Sequence, residues 1–500
     1  MHARSAAARA PTLPFVPSRL VAALALAVGL QAPALASPAS DIAELKKALG
    51  AMKSDYDKRI GTLESQLHDT QAELAKAKAA NAAAAPVAAA SAPAPLPAVA
   101  EAPAPVAPAP AVAAVDVSGN APTGAPNSGG SFNPQISLIL SGTYAHTTQD
   151  PGQARITGFA LPPGAEIGVG SRGFSLAESE LALAANIDPW LAGNINLSIT
   201  GDDTISAEEA FITTTALPDG LVLKAGRFFS GVGYLNSQHS HTWDFVDNPI
   251  AYQAMLGTQY ADDGVQLHWL APTDTYMEFG LEAGRGRGFP GDDSSRNAAG
   301  MTAFTFHTGG DIGDSISWRG GLSLLQTQSN GQALILANAN DFPATSGFTG
   351  RTRVAIADAV MKWAPNGNAT RTYFKLQGEY LQSRRSGELS GLAGVPDVSL
   401  REVQSGGYVQ GVWQFMPMWR VGLRTERLDP GHPNYGDANG VFTSTGYHPT
   451  KNSLMFDFNE SEFARIRLQF AQDRTHQGFV DNQWLLQYQT ALGAHGAHAY

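Results

Sequence analysis

Apolar residues recur along this chain in two rhythms, one with steps of three and four between residues 41 and 80, the other with steps of two from residue 132 onward. In the first, Ile42, Leu45, Leu49, Met52 and Tyr56 line one seam of a helix, and Ile60, Leu63, Leu67 and Leu74 continue it, the spacing of a supercoiled helix. The step from Tyr56 through Ile60 to Leu63 carries an extra four, a stutter that locally unwinds the supercoil, and Gly50 and Gly61 weaken the helix further. A short, imperfect coiled coil is expected over residues 37–81, with charged residues filling its other positions; a single amphipathic helix resting on another surface has the same pattern.

In the second rhythm, Asn194, Asn196 and Ser198 alternate with Gly193, Ile195, Leu197 and Ile199. Val265, Leu267 and Trp269 likewise alternate with Gln266 and His268, and Ile466, Leu468 and Phe470 with Arg465, Arg467 and Gln469. A strand with one lipid face and one wet face has this period, as does a strand of a soluble sandwich. The connections separate the two. Short turns at 188–190, 217–220, 271–274, 311–314, 364–368, 416–418 and 459–462 alternate with longer Gly-, Asp- and Ser-rich stretches at 150–173, 231–263, 286–299, 329–351, 385–401 and 429–451. Periplasmic turns and external loops alternate in this way in outer-membrane barrels. The pattern predicts an all-β transmembrane barrel of about 16 antiparallel strands over residues 132–500. Trp190, Trp269, Trp318, Trp363, Trp413, Phe415 and Trp419 lie within a few positions of the short turns, where an aromatic girdle belongs.

Before the barrel, residues 82–131 are almost entirely Ala, Pro and Val, ending in a Gly-Ser-Asn hinge; prolines stop the helix, and the tract lacks the large apolar residues of a core. At the N-terminus, Arg4, Arg9 and Arg19 precede an apolar run from Leu20 to Leu30 and a small-residue site at Ala34-Leu35-Ala36, so residues 1–36 read as an export signal. The apolar run is too short to span hydrocarbon as a helix, and no apolar run after Ser37 is suited to a spanning helix either, so a membrane domain has to be a barrel. Only 15% of the 500 residues are charged, and the formal net charge of -11 excludes the basic face that nucleic acid requires. The absence of cysteine excludes thiolate nucleophiles and Cys-based zinc sites.

The last strand places Trp484, Leu486, Tyr488 and Leu492 on one face against Gln487 and Gln489, resembling the terminal signal read by barrel-assembly machinery, with Tyr500 as its final aromatic. Together with Gly173-Phe174-Ser175-Leu176-Ala177-Glu178-Ser179-Glu180-Leu181, Leu223-Lys224-Ala225-Gly226-Arg227-Phe228 and Asp262-Asp263-Gly264-Val265-Gln266-Leu267, this makes residues 132–500 resemble the outer-membrane porin superfamily related to phosphate-selective porins. The preceding segment resembles the periplasmic coiled coil of some porins. Certain look-alikes, most of all around residues 238–247, are labelled zinc-regulated or TonB-dependent outer-membrane receptors. A gated receptor of that kind needs a folded plug and about 22 strands. This chain offers a helix, a Pro-rich spacer and room for about 16.

On the assigned phase Arg420, Arg424, Arg465, Arg467 and Lys375 point into the lumen from late strands, and Glu178, Glu180, Glu278 and Glu282 from early ones. Opposed rows of this kind create a transverse field that discriminates ions; charges that merely wet a polar wall have the same pattern. No Lys-rich run marks a phosphate constriction. The loop over residues 234–260 holds Tyr234, His239, His241, Trp243, Asp244, Phe245, Asp247, Tyr252 and Tyr260, and the resemblance implies that it folds inward and narrows the pore. His239 and His241 with nearby Asp244 have donors that suit a divalent metal, although polar packing within a loop accounts for them more simply. His495 and His498 form a second such pair.

Searching for a nucleophile with its base, a paired carboxylate site or a phosphate-cradling loop finds none at a telling spacing, and Gly284 to Gly288 follows a strand without opening a helix. The expectation is a non-enzymatic porin without cofactor in the outer membrane of a Gram-negative bacterium, its helix in the periplasm, passing small hydrophilic solutes or ions. Expected partners are membrane lipid, two further copies in a homotrimer, and a periplasmic or cell-wall contact through the helix, but no nucleic acid. Ligand-specific uptake, of zinc or another metal, and a structural tether between membrane and periplasm remain as alternatives.

Overall fold

The computed structural model describes residues 134–292, 297–337, 343–391, 396–439, 446–461 and 463–493. The expected export signal, coiled coil and Ala/Pro-rich linker lie outside these residues, as do His495, His498 and Tyr500.

The alternating stretches form strands β1 (Gln135–Thr147), β2 (Gly173–Leu176), β3 (Ser179–Asn186), β4 (Leu191–Ile199), β5 (Ile205–Thr214), β6 (Leu221–Phe229), β7 (Ala261–Leu270), β8 (Tyr276–Gly284) and β9 (Met301–Ile312). They continue with β10 (Ile316–Ala337), β11 (Pro343–Trp363), β12 (Tyr373–Ser390), β13 (Val398–Met416), β14 (Trp419–Asp429), β15 (Thr450–Ser461), β16 (Ala464–Arg474) and β17 (Asp481–Gly493). Beyond β3 each strand pairs antiparallel with the next, and β17 closes against β1. Because β2 and β3 both pair with β1 as two halves of one stave, the seventeen strands make a closed barrel of sixteen staves. The even number is what a single-chain barrel needs to bring both ends of the sheet to one side.

The alternation sorts side chains as the sequence predicts. Val265 and Leu267 are 48% and 42% exposed on the outer face, whereas Gln266 between them is 2% exposed on the inner one. Trp484, Leu486 and Tyr488 point outward while Gln483, Gln487 and Gln489 point inward. An apolar outer surface of this extent belongs in lipid, since every backbone group of a closed barrel is already paired. Trp190, Trp269, Trp318, Trp363 and Trp413 are exposed near the short turns, and Trp419 packs against Phe458 with ring centroids 4.6 Å apart and planes tilted by 39°.

Among the register shifts that break the period of two, two concern acidic residues. Against β1 the register slips by one residue between Gly142↔Leu176 and Ile139↔Glu180. The extra residue turns Phe174 and Leu176 outward and Glu178 and Glu180 inward. Between β4 and β5 the register slips from Asn196↔Glu209 to Leu197↔Ala207, leaving Glu208 as the additional residue. A bulge re-aims side chains at one point of a strand, and here it turns two consecutive carboxylates toward the lumen.

Residues 329–351 and 385–401, expected as loops, are mostly strand: β10 to β13 are 18 to 22 residues long, about twice the roughly 9–11 that cross a bilayer. Their Gly- and Ser-rich composition is outweighed by an inward apolar cluster of Leu334, Leu336, Phe348, Leu389, Val398 and Leu400, which stays on one face only while the strands continue.

Candidate functional site

The connection from Phe229 to Ala261 does not stand above the barrel. It enters the lumen, and its residues pack against the inner faces of strands on opposite sides of the barrel. A turn at Ser240–Thr242 and a short helix α1 (Ile250–Leu256) are its only regular pieces. Pro249 precedes the helix with extended backbone, and Gly257, in the left-handed region, ends it. All seven residues of α1 are buried, consistent with a helix that is apolar nearly all round.

Inward-facing carboxylates hold the first part of this loop by its backbone. Glu282 accepts from Ser230 Oγ at 2.6 Å and Gly231 N at 2.8 Å. Glu379 accepts from the N–H groups of Tyr234 and Leu235 at 2.9 and 3.1 Å and from the hydroxyls of Tyr252 and Tyr408 at 2.8 and 2.6 Å. At α1, Glu426 accepts from Ile250 N at 2.6 Å. Glu278 is the one member of the predicted acidic row that turns elsewhere, its oxygen 3.4 Å from His268 Nδ1 and 3.6 Å from His307 Nδ1.

The middle of the loop crosses between walls of opposite charge. On the cationic side Asp244 pairs with Lys375, with Arg420 Nη1 3.6 Å away, and accepts from Gln410 at 3.0 Å. Asp247 is 2.8 Å from Arg424 Nη2 and 2.7 Å from Lys451 Nζ. Arg465 donates to the carbonyl of His241 at 3.1 Å, while Arg467 and Arg420 both bind Asp457 on β15. On the acidic side His239 lies among Glu180, Glu208 and Glu209, His241 lies 2.9 Å from Glu180, and Ser240 donates to Glu178 at 2.7 Å. The predicted rows therefore meet the loop rather than each other, and each faces loop residues of complementary charge.

Burial alone would raise the carboxyls of Asp244 and Asp247, but the cations outweigh it: Lys375 and Arg420 hold Asp244 below the usual carboxylate range, and Lys451 and Arg424 do the same for Asp247. Both stay ionised through neutral and mildly acidic conditions, and their contribution is lost only as pH falls through the depressed values.

An apolar body completes the loop. Val232, Leu235, Trp243, Ile250, Tyr252, Met255, Leu256 and Tyr260 pack against Leu325, Val354, Ile356, Leu381, Tyr408 and Leu428 of β10 to β14. Ile156, Phe159 and Leu161 from the connection between β1 and β2 join from above. Sequence reasoning placed Tyr234, His239, His241, Trp243, Asp244 and Asp247 together, and the structure puts all of them in this one segment. It missed Glu208, Glu209, Glu379, Glu426, Lys451 and Asp457, which are polar residues on the inner face with nothing local to mark them. The pair Glu208-Glu209 carried a signal, because two consecutive carboxylates interrupt an alternating strand.

Gly233 tests how closely the loop is fitted. Its φ is +70°, and a Cβ there would fall within contact distance of the Glu379 carboxylate and 2.7 Å from the Tyr252 hydroxyl. Gly233→Ala is expected to cost about 1–2 kcal/mol from backbone conformation alone and to displace the Glu379 anchor. Chymotrypsin should then cut at Tyr234, Phe245 or Tyr252 in the variant but not in the folded parent protein. Equal resistance of the two would show that the loop is not held at this point.

No protein-family model matches the chain. A protein of Aquifex aeolicus (strain VF5), described as uncharacterized, is 29% identical over 402 residues, covering 75% of this chain and 82% of its own length. Among solved structures, similar chains include a loop L8 deletion mutant of OmpT, an outer membrane protein of Vibrio cholerae, at 11% identity, 72% of this chain, 99% of that chain and a TM-score of 0.46. They also include the outer membrane channel DcaP of Acinetobacter baumannii, at 11% identity, 72% and 97% coverage and a TM-score of 0.43. An anion-selective porin from Comamonas acidovorans has 10% identity, 72% and 100% coverage and a TM-score of 0.40.

Proposed function

We propose that this barrel is a passive, non-enzymatic channel of the outer membrane through which small hydrophilic solutes and ions diffuse, its bore set by the loop inside it. The observation that carries this reading is the division of the lumen. The apolar body of the loop lies on β10 to β14, whereas the facing wall from β16 through β1 to β4 presents Ser137, Ser141, Asn194, Gln483 and Gln487 inward. Asn194 Nδ2 and Oδ1, Gln483 Oε1 and Gln487 Oε1 have no hydrogen-bond partner in the protein. These atoms are enclosed, and buried polar groups are ordinarily satisfied, so water held along this wall would serve them, as it does along the lining of a hydrated passage. A barrel of sixteen staves is wide enough for one.

The cations Arg420, Arg424, Arg465, Arg467 and Lys375 and the acids Glu178, Glu180 and Glu282 border the passage through the loop that joins them, so selectivity depends on the net charge left around 239–247. The protomers associate as homotrimers, with the Ile42 to Leu74 seam adding a second contact on the periplasmic side. Purified protein in a planar bilayer should give stepwise, ohmic currents without added ligand, and proteoliposomes should swell in small sugars more slowly as the sugar grows. Silent bilayers and liposomes that do not swell in any sugar would overturn the channel reading.

A further inference from the structure

We propose that Glu180, Glu208 and His239, with His241 beside them, bind one divalent transition-metal cation of the zinc class, which pins the loop to the acidic wall. His239 Nδ1 is 3.3 Å from Glu180 Oε2 and 3.5 Å from Glu208 Oε2. A tetrahedral ion with ligands at roughly 2.0–2.1 Å places its donors about 3.3–3.4 Å apart. One donor atom from each of the three residues lies within 4.8 Å of the others, and His241 Nδ1 is 2.9 Å from the same Glu180 oxygen.

Three features separate this cluster from polar packing. First, His239 Nδ1, Glu180 Oε2 and Glu208 Oε2 are buried, with His239 and Glu180 only 6% and 4% exposed, and they meet one another and His241 in ion-pair contacts of 2.9–3.5 Å without a well-aligned hydrogen bond. Unsatisfied buried donors and acceptors are costly, and here the three converge on one point. Second, the other ring nitrogen of His239 is held by Glu209 at 3.0 Å, and Glu209 is itself fixed by Asn196 Nδ2 at 3.2 Å and the N–H of Phe229 at 3.0 Å. A carboxylate behind a histidine sets its tautomer and aims the free nitrogen at a metal. Third, four carboxylates, Glu178, Glu180, Glu208 and Glu209, surround two imidazoles, leaving negative charge that a dication balances. Mixed nitrogen and oxygen donors favour zinc and its neighbours over calcium or magnesium, which take oxygen donors almost alone.

The two bulges give the site its origin: they turn Glu180 and Glu208 toward the same point, and the loop delivers both histidines from the other side. Metal binding does not rest on the channel reading, so a protein that binds zinc but conducts nothing would sink only the latter. The test uses the full chain, folded, stripped with chelator and titrated with Zn2+ by calorimetry and with Co2+ by visible absorption. One equivalent is expected to bind, Co2+ giving the intense d–d bands of a tetrahedral site. Glu208→Gln, nearly isosteric, should weaken affinity at least about tenfold, and His239→Ala should abolish the bands. His495→Ala with His498→Ala should leave binding intact. Heat-modifiable migration on gels reports whether each variant still forms the barrel. A folded parent protein that binds neither ion, or that binds them as tightly after Glu208→Gln, overturns the proposal.

Discussion

Replacing Asp457 by alanine is expected to destabilise the barrel by about 3 kcal/mol or more. Asp457 is 0% exposed, and its two oxygens accept from Arg467 Nε at 2.8 Å and Nη2 at 3.1 Å, a bidentate pairing, while also receiving Arg420. Without it two buried guanidiniums face each other. Arg420 retains Tyr373 at 3.2 Å and Asp244 at 3.6 Å. Removing one partner of a buried ionic group leaves the other charge uncompensated, which is why the cost exceeds the net worth of the pair. Asp457→Asn, which keeps the volume and one acceptor, should recover part of the loss. Asp429→Ala, at an exposed position, should change stability by less than about 0.5 kcal/mol. Denaturant midpoints in detergent, read by gel mobility, compare the three. An Asp457→Ala barrel as stable as the parent protein would show that the cationic row is hydrated rather than paired.

The barrel was legible because period-two alternation is a local property: Val265, Gln266 and Leu267 reveal their faces without any knowledge of their neighbours across the sheet. The phase assigned to Arg465, Arg467 and Gln469 is the one observed, with all three inward. What defeated sequence reasoning was non-local. Composition marks 329–351 and 385–401 as loops, yet Leu334, Phe348, Leu389 and Leu400 come together only once β10 to β13 are paired, and their burial keeps the strands going. The apolar body of the loop was not legible because Tyr252, Met255 and Leu256 find their partners Leu381, Tyr408 and Leu428 from more than a hundred residues away. Bulges are a third case. Each inserts one residue, and although Glu208-Glu209 signals an interruption, nothing in Leu176 to Glu180 fixes where the slip falls, and the outcome decides whether four carboxylates share one site.

The loop's anchors are separable, and this makes the central claim testable. Glu282 and Glu379 hold residues 230–235, and Glu426 holds Ile250, so both flanks keep their own contacts when the segment between them is shortened. Residues 239–247 make the crossing from the acidic to the cationic wall, bringing Trp243 and Phe245 with them into the lumen. Deleting 239–247 therefore removes the cross-piece and leaves the sixteen staves closed through β17 and β1. It also frees Arg424, Lys375 and Lys451 on one wall and Glu178, Glu180, Glu208 and Glu209 on the other from their loop partners. With chelator present to keep the acidic site empty in both proteins, the lumen loses the two carboxylates Asp244 and Asp247 and no lysine or arginine, and should favour anions more strongly than the parent protein does. The decisive measurement is single-channel conductance of the two proteins side by side in the same bilayer and salt. A channel whose bore is set by this loop predicts a severalfold rise in conductance and a shift of reversal potential toward anions after the deletion. Unchanged conductance and selectivity in a deletion variant that still forms the barrel would contradict it.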